Sequence, residues 1–583
     1  MTMPWFRASR RLAGSLSWRS GLALVLLLTA ACAGPGSDDS GNPPASPDPG
    51  VAPRLGATGG TSSADPTILA RIRFKDRADL DRMASELDLL EHVDLEAGVA
   101  DALLDSAEYE KLVGQGYVVD IDEEQTALLN GPAIDSIPGY SCYRTVEETA
   151  AAMNTLASNY PNLVDIVDIG DSWHKVTPGG NAGYDLQVMV VTNKSIAGPK
   201  PRFFLMGAIH AREYTTAETV MRFAEELVQG YGSDPDATWL LDNFELHALP
   251  HSNPDGRKIA EQGYYQRKNS NNTNGGSCSN PPSSSNQYGT DLNRNSSFKY
   301  GGASTSTSPC NQVYRGRSAA SEPETQALQA YITSIFPDQR GPADSDPAPA
   351  TASGVLITLH SYSPLVLVPW AWTTTGAPNA TQLHTLGRKF GFHNSYGVCQ
   401  PSSCLYAASG TTDDFSYGEL GVASFTFEMG TSFFQSCSSY TSTVLPANLP
   451  ALRYAFKAAR RPYQAPAGPE ALSVVASPSL VTAGQSVTLT ASINDTRYKS
   501  NGYGTEPTQN IAAARYSVNA PSWGLGLTTD MNPSDGTFNA TIENATATFS
   551  TTGWTPGRYL IYVEGQDAAG NWGVPTGVFV DVQ

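Results

Sequence analysis

The chain has 583 residues, 40% of them hydrophobic, so it can build real cores but is too long for one ordinary domain. Its 56 acidic residues outweigh 37 basic ones, giving a formal net charge of -19. That balance argues against a nucleic-acid partner, whose phosphates need a basic surface, and it suits a soluble protein working outside the cell.

The N-terminus reads as an export signal. Arg7, Arg10, Arg11 and Arg19 precede an apolar run from Gly21 to Ala31 that is too short to span a bilayer. Residues 1–32 therefore read as a secretory signal peptide. Cys32 follows small residues and precedes a Gly/Ser/Pro/Asp-rich stretch. This resembles a bacterial lipoprotein signal, in which the Cys carries the lipid, although Thr29 stands where an aliphatic residue is usual. Two readings stay open: a lipid on Cys32, or ordinary cleavage that discards it. Residues 33–63 hold almost no large apolar side chains and read as a disordered linker. The remaining cysteines are Cys142, Cys278, Cys310, Cys399, Cys404 and Cys437. An even number in an exported chain predicts disulfides. Proximity favours Cys278 with Cys310 and Cys399 with Cys404.

Residues 64–130 switch to alternating and helical patterns. ILARIRF reads as a strand, DRADLDRMASEL as a helix and DLLEHVDLEAGVADALLD as a hairpin. SAEYEKLVGQG then reads as a helix and YVVDIDE as a last strand, a small α+β unit of β-α-β-β-α-β order. Across residues 139–462, apolar strands such as RFFLMGAI, FELHALP, GVLITLH and SFTFEM alternate with amphipathic helices. That pattern predicts an α/β fold, a mixed sheet with helices on both faces. The stretches from Asn269 to Gln287 and from Gly341 onward read as loops. Residues 468–583 are short alternating segments parted by turn residues, an all-β immunoglobulin-like sandwich.

The chemistry gathers at strand ends. RFFLMGAI is predicted to run up to His210, with Glu213 three residues on and a helix behind it. Ligands in open α/β sheets collect at the carboxyl ends of strands. An HxxE pair alone is weak, because a salt-bridged or solvated pair reads the same way. GVLITLH adds His360 at the end of a second apolar strand. Two histidines and one glutamate, with a fourth position open to water, form a catalytic zinc set. Glu428, closing a third apolar strand, is placed to move a proton. His92, His174, His247, His251, His384 and His393 lack such a setting and read as surface or structural histidines.

The blocks HAREYTTAE, SNPDG, QRKN, GTDLNRN, SEPET, HSYS, LYAASGTTDDF and FTFEMG follow one another between about residues 140 and 460. In that order they resemble the zinc carboxypeptidases of the pancreatic A/B type. The resemblance implies one zinc per catalytic domain, held by His210, Glu213 and His360. It implies peptide or protein substrates with a free C-terminus; a membrane contact is expected only from the N-terminal pattern, through a lipid on Cys32. Glu428 matches the general acid/base and Arg267 the arginine that stabilises the oxyanion. Asn293 and Arg294 match the pair that holds the terminal carboxylate, and Tyr406 matches the tyrosine that closes over the substrate. Arg212 would line the next subsite, and Asp291 would orient a zinc histidine. A planar guanidinium grips a carboxylate bidentately, which suits Arg294 to a free C-terminus.

Asp413 falls, counted from Tyr406, where the family places the residue at the base of its specificity pocket. Members that prefer Lys or Arg carry Asp there. The wall positions Ala371 and Pro401 match neither subtype, so apolar C-terminal residues are expected alongside basic ones. Asp414 reads as structural. Residues 64–130 resemble the family's activation domains and are expected to cover the site until processed. The sandwich holds none of these residues and is expected to be dispensable for chemistry. Two other functions compete. One is an aspartoacylase-like amidohydrolase, which shares HxxE…H. The other is a zinc-bearing binding protein whose sandwich does the work. The Tyr406 segment and FTFEMG speak against the first, and the pairing of Glu428 with Arg267 speaks against the second.

Overall fold

The structure is a computed structural model that describes residues 67–122, 126, 137, 139–500 and 504–583. The signal-peptide, lipidation and linker readings lie outside the described residues.

The first unit contains β1 (Ile68–Arg73), a helix Arg77–Glu86, β2 (Asp88–Asp94), β3 (Val99–Leu104), a helix Ser106–Gly114 and β4 (Val119–Ile121). The strands form an antiparallel sheet in the order β2-β3-β1-β4. Both helices start where a short acidic side chain can accept from an orphan amide. Asp76 accepts from Asp79 N, and Asp105 forms a reciprocal capping box with Glu108. The sheet's apolar face meets those helices through Ile72, Leu80, Met83, Leu104 and Leu112. The same cluster continues into Leu367, Leu405 and Tyr406 of the next unit.

The central unit is a mixed eight-stranded sheet. Its strands are β5 (Val164–Asp171), β6 (Asp185–Val191), β7 (Arg202–Met206), β8 (Glu245–Leu249), β9 (Val355–His360), β10 (Leu365–Leu367), β11 (Gly397–Cys399) and β12 (Ala423–Glu428). Their spatial order is β11-β10-β12-β9-β7-β8-β6-β5. The middle strands β12, β9, β7 and β8 run parallel. All residues of β9 and β12 are buried, as expected for parallel strands covered on both faces by helices. Two short strands, β10 and β11, went unread in the sequence, since three residues carry no periodicity.

One expected boundary is corrected. The strand predicted to reach His210 stops at Met206. Gly207 lies against the backbone of Thr216, where a Cβ would come within 2.9 Å, and Ala208 takes a positive φ of 49°. The chain therefore leaves the sheet early, and His210 and Glu213 sit on the connection to the helix Tyr214–Gly230.

Three disulfides tie this unit: Cys142–Cys437 and the two expected pairs, Cys278–Cys310 and Cys399–Cys404. Among the described residues no helix is long and apolar enough to cross a membrane.

The last unit holds β13 (Glu470–Ser477), β14 (Leu480–Val481), β15 (Ser486–Asn494), β16 (Ile511–Val518), β17 (Thr529–Pro533), β18 (Ile542–Ser550), β19 (Gly557–Asp567) and β20 (Thr576–Val582). They are hydrogen-bonded in one run, β13-β15-β18-β17-β16-β19-β20-β14. Short β17 bonds to both β16 and β18, so the two faces of the sandwich join along one side. Val487, Leu489, Ile493, Ile561, Val563 and Val580 fill the space between them.

Candidate active site

The parallel register of β9 and β12 sets Glu428 beside His360, at the carboxyl end of both strands. Met429 N donates to the His360 carbonyl at 2.8 Å, which pins the two ends together. Glu213 occupies the N-cap of the helix Tyr214–Gly230 but makes no side-chain capping bond. Its carboxylate turns instead to the imidazoles. Glu213 Oε1 lies 2.7 Å from His210 Nδ1 and Oε2 lies 3.3 Å from His360 Nδ1. The two Nδ1 atoms are 3.2 Å apart. All three side chains are buried.

This arrangement fits a divalent cation. Two imidazole nitrogens and a carboxylate, converging within 4.8 Å of one another, make a nitrogen/oxygen donor set of the kind zinc takes. Burial alone would raise the Glu213 pKa, but the adjacent imidazoles outweigh it and hold the carboxylate ionised. Burial pushes His360 down, toward the neutral imidazole that a metal requires. Asp291 stands behind His210, with Oδ1 3.3 Å from its Nε2. Burial opposes ionisation of Asp291, yet Arg267 and His210 hold its pKa well below the usual carboxylate range. A second acidic group, Asp168, Asp171 and Asp185, is partly exposed and carries Lys175 as a counter-ion.

Asp291 organises the substrate side as well. Its Oδ1 accepts from Asn293 N at 2.9 Å, capping the short turn Leu292–Arg294, and its Oδ2 receives Arg267 Nε at 3.0 Å. Arg294 Nε donates to the Ser304 carbonyl at 2.8 Å, which fixes the stem of the guanidinium. Asn293 Oδ1 accepts from Thr412 N at 3.1 Å.

One cavity of about 50 Å³ is lined by His210, Arg267, Asn293, Arg294, His360, Tyr406, Asp413 and Glu428, with Ala371 and Pro401 in its wall. Glu213 and Asp291 lie outside that lining, each against His210. Asp413 Oδ1 accepts from Asp414 N at 3.0 Å and Oδ2 from Thr426 Oγ1 at 3.1 Å. Burial and the neighbouring Asp413 push Asp414 well above the usual carboxylate range, while it accepts from the amides of Ala371 and Trp372. Asp414 thus holds the cavity wall.

Arg212 lies elsewhere. It does not line the cavity. Its guanidinium grips Asp88 of β2, with Nη2 2.9 Å from Oδ1, and stacks 4.1 Å above the Phe433 ring. Beside it, the Tyr406 hydroxyl donates to the Leu89 carbonyl at 3.5 Å. Asp88 and Leu89 were missed in the sequence. Neither belongs to a motif, and their role comes only from the docking of β2 over this end of the sheet. The other histidines sit in ordinary settings. His92 pairs with Asp101, His247 with Tyr331 and His251 with Thr149.

The profile of the zinc carboxypeptidase family (peptidase M14) matches residues 149–447, half of the chain. Rat carboxypeptidase A2 is 30% identical over 314 residues, which are 53% of this chain and 67% of that protein. Bovine carboxypeptidase A1 is 29% identical over 298 residues, 50% of this chain and 63% of that protein. The chain thus spans about two thirds of these relatives' length. Among solved structures, carboxypeptidase A from Helicoverpa armigera superposes with a TM-score of 0.53 at 20% identity, covering 68% of this chain and 98% of that one. Thrombin-activatable fibrinolysis inhibitor gives 0.52 at 21% identity with the same coverage. These two likenesses speak for the fold.

Proposed function

The chain belongs to the zinc carboxypeptidase family, and from that premise we propose that it removes single residues from the free C-terminal end of peptides and proteins. The observation that carries the reading is the single cavity in which the His210/His360 edge of the metal site, Glu428, Arg267 and the Asn293–Arg294 pair face one another.

His210, Glu213 and His360 would hold the zinc, which, when bound, polarises the scissile carbonyl and acidifies a water. Arg294 and Asn293 bind the terminal carboxylate and so place the last peptide bond at the metal end of the cavity. Glu428 takes the proton of the attacking water and delivers it to the leaving amine. Arg267, braced by Asp291, donates to the oxygen on which negative charge grows. Tyr406 shuts the cavity over the bound residue. Asp413 receives a Lys or Arg side chain, because a buried carboxylate is stabilised by a partner cation.

Residues 64–130 act as an inhibitory activation domain in this reading. The support is β2, whose Asp88 occupies Arg212 and whose Leu89 occupies Tyr406. Export, with or without a lipid on Cys32, follows from the N-terminal pattern and agrees with the three disulfides. The experiment compares blocked dipeptides with free and amidated C-termini, on enzyme freed of residues before about 139. The free acid should be cleaved at least a hundredfold faster. Equal rates would mean that Arg294 does not read a terminal carboxylate.

A further inference from the structure

The last helix of the central unit, Leu445–Ala458, ends against the sandwich. There a cleft of about 340 Å³ opens, lined by Arg460, Arg461, Gln464, Arg515, Trp523 and Trp572 among others. Its charge is unbalanced. Lys457 at its edge pairs with Asp236, 2.6 Å away. Arg515 pairs with Glu564 at 2.9 Å, and Glu564 also accepts from Ser522. Arg460 and Arg461 have no carboxylate partner among the described residues. Arg460 is half-buried, with its guanidinium 4.7 Å above the Trp523 ring. Burial and the neighbouring Arg461 lower its pKa against the opposing pull of Glu564. Arg461 makes one long bond, 3.4 Å, to Gln464 Oε1. In a chain with 56 acidic residues, two adjacent guanidiniums with no carboxylate in ion-pair contact, the Glu564 of the same cleft being bound to Arg515, are a cost that an anionic ligand would remove.

The rest of the lining says what kind of anion. Two indoles, at Trp523 and Trp572, bring aromatic surface to the cleft, each with one face stacked by a guanidinium, Arg460 on Trp523 and Arg515 on Trp572. Gln464, Ser522, Glu564 and Arg515 offer fixed donors and acceptors of the sort that read hydroxyl groups. Rings, hydroxyls and a negative charge together describe an acidic sugar. We propose that this cleft binds a uronic-acid residue of an anionic polysaccharide, its carboxylate on Arg460 and Arg461. The location suits a tether. Ala459, next to Arg460, accepts from Gly354 N just before β9 begins, whereas His360 closes the same strand. Six residues of strand put about 20 Å between the two levels. A polymer held here leaves the catalytic cavity, at the other end of the sheet, open. The inference is independent of the peptidase reading.

The test titrates the full chain with a trigalacturonate, a neutral trigalactose and inorganic phosphate, read by calorimetry and tryptophan fluorescence. Trigalacturonate should bind at least tenfold tighter than the neutral sugar. Arg460→Gln/Arg461→Gln should lose at least tenfold of that affinity while Tm and dipeptide hydrolysis stay unchanged. Should the double variant misfold, Arg461→Gln alone, on the weakly bonded arginine, should still lose severalfold. Absence of saturable trigalacturonate binding, or full affinity in a folded variant, overturns the proposal. Phosphate binding as tight as trigalacturonate overturns the sugar and leaves a bare anion site.

Discussion

At Glu428 a change of one atom separates proton transfer from binding. Glu428→Gln keeps the side chain's shape and its place beside His360, and it is not a metal ligand. The expected outcome is unchanged zinc content with kcat down about 10²–10⁴-fold. Near-native turnover of the zinc-loaded variant would remove Glu428 from the reaction. Asp413 allows a sharper comparison. Its two oxygens already accept from Asp414 N and Thr426 Oγ1, but the two oxygens of a carboxylate offer about four acceptor positions, which leaves room for a substrate cation. Asp413→Ile should lower kcat/KM for dipeptides ending in Arg or Lys by at least tenfold, about 1.4 kcal/mol, and raise it for Phe or Leu. An unchanged ranking would mean that Asp413 does not meet the substrate side chain. His210, His360 and Glu428 were legible in the sequence for one reason: each closes or follows an apolar strand, and strand ends in α/β sheets are where chemistry collects. The partner of Arg212 was not legible. Asp88 lies 124 residues away, and no local pattern links the two.

At the scale of the element, β2 is the strand through which the proposed inhibition would act. It brings Asp88 to Arg212, and next to it Leu90 packs with Tyr265 and Phe433. Breaking a buried ion pair by removing one partner costs about 3–5 kcal/mol, since the other charge stays buried and unpaired. Asp88→Ala should therefore loosen the first unit. The full-length variant should hydrolyse a small dipeptide severalfold faster than the full-length wild type, approaching a chain that starts near Gly139. If full chain, variant and truncated chain turn over alike, β2 does not inhibit. The elements of this unit were readable in order because their helices carry Asp caps and their strands alternate. What sequence patterns lacked was the docking, because adjacent Leu89 and Leu90 point to opposite faces of β2 and alternation does not say which surface each one meets. The same limit explains the overlong β7: the apolar run continues through Ala208 and Ile209, and only the close approach of Gly207 to Thr216 ends the strand sooner.

Across the whole molecule, the sandwich is built into the core of the central unit rather than hung from it. Trp239 and Phe244 of the central unit meet Trp523 and Tyr562 edge to face, in one continuous apolar cluster. Lys389, fully buried on the helix Ala380–Asn394, finds its counter-ion in Glu470 of β13 at 3.3 Å. None of these residues touches the catalytic cavity. Excision of residues 468–583 is therefore expected to divide stability from chemistry. The truncated enzyme should keep a near-normal kcat/KM per folded molecule at low temperature but lose more than 10 °C in Tm. Lys389 supplies the discriminating variant. In the truncated chain its ammonium loses Glu470, so Lys389→Met removes an uncompensated buried charge and should raise Tm. In the full chain the same substitution takes one of two cations from buried Glu470, leaving it Arg497 at 3.0 Å, and should lower Tm. A full-length Tm recovered on excision, or the same sign for Lys389→Met in both backgrounds, would show that the two units do not share this interface in solution.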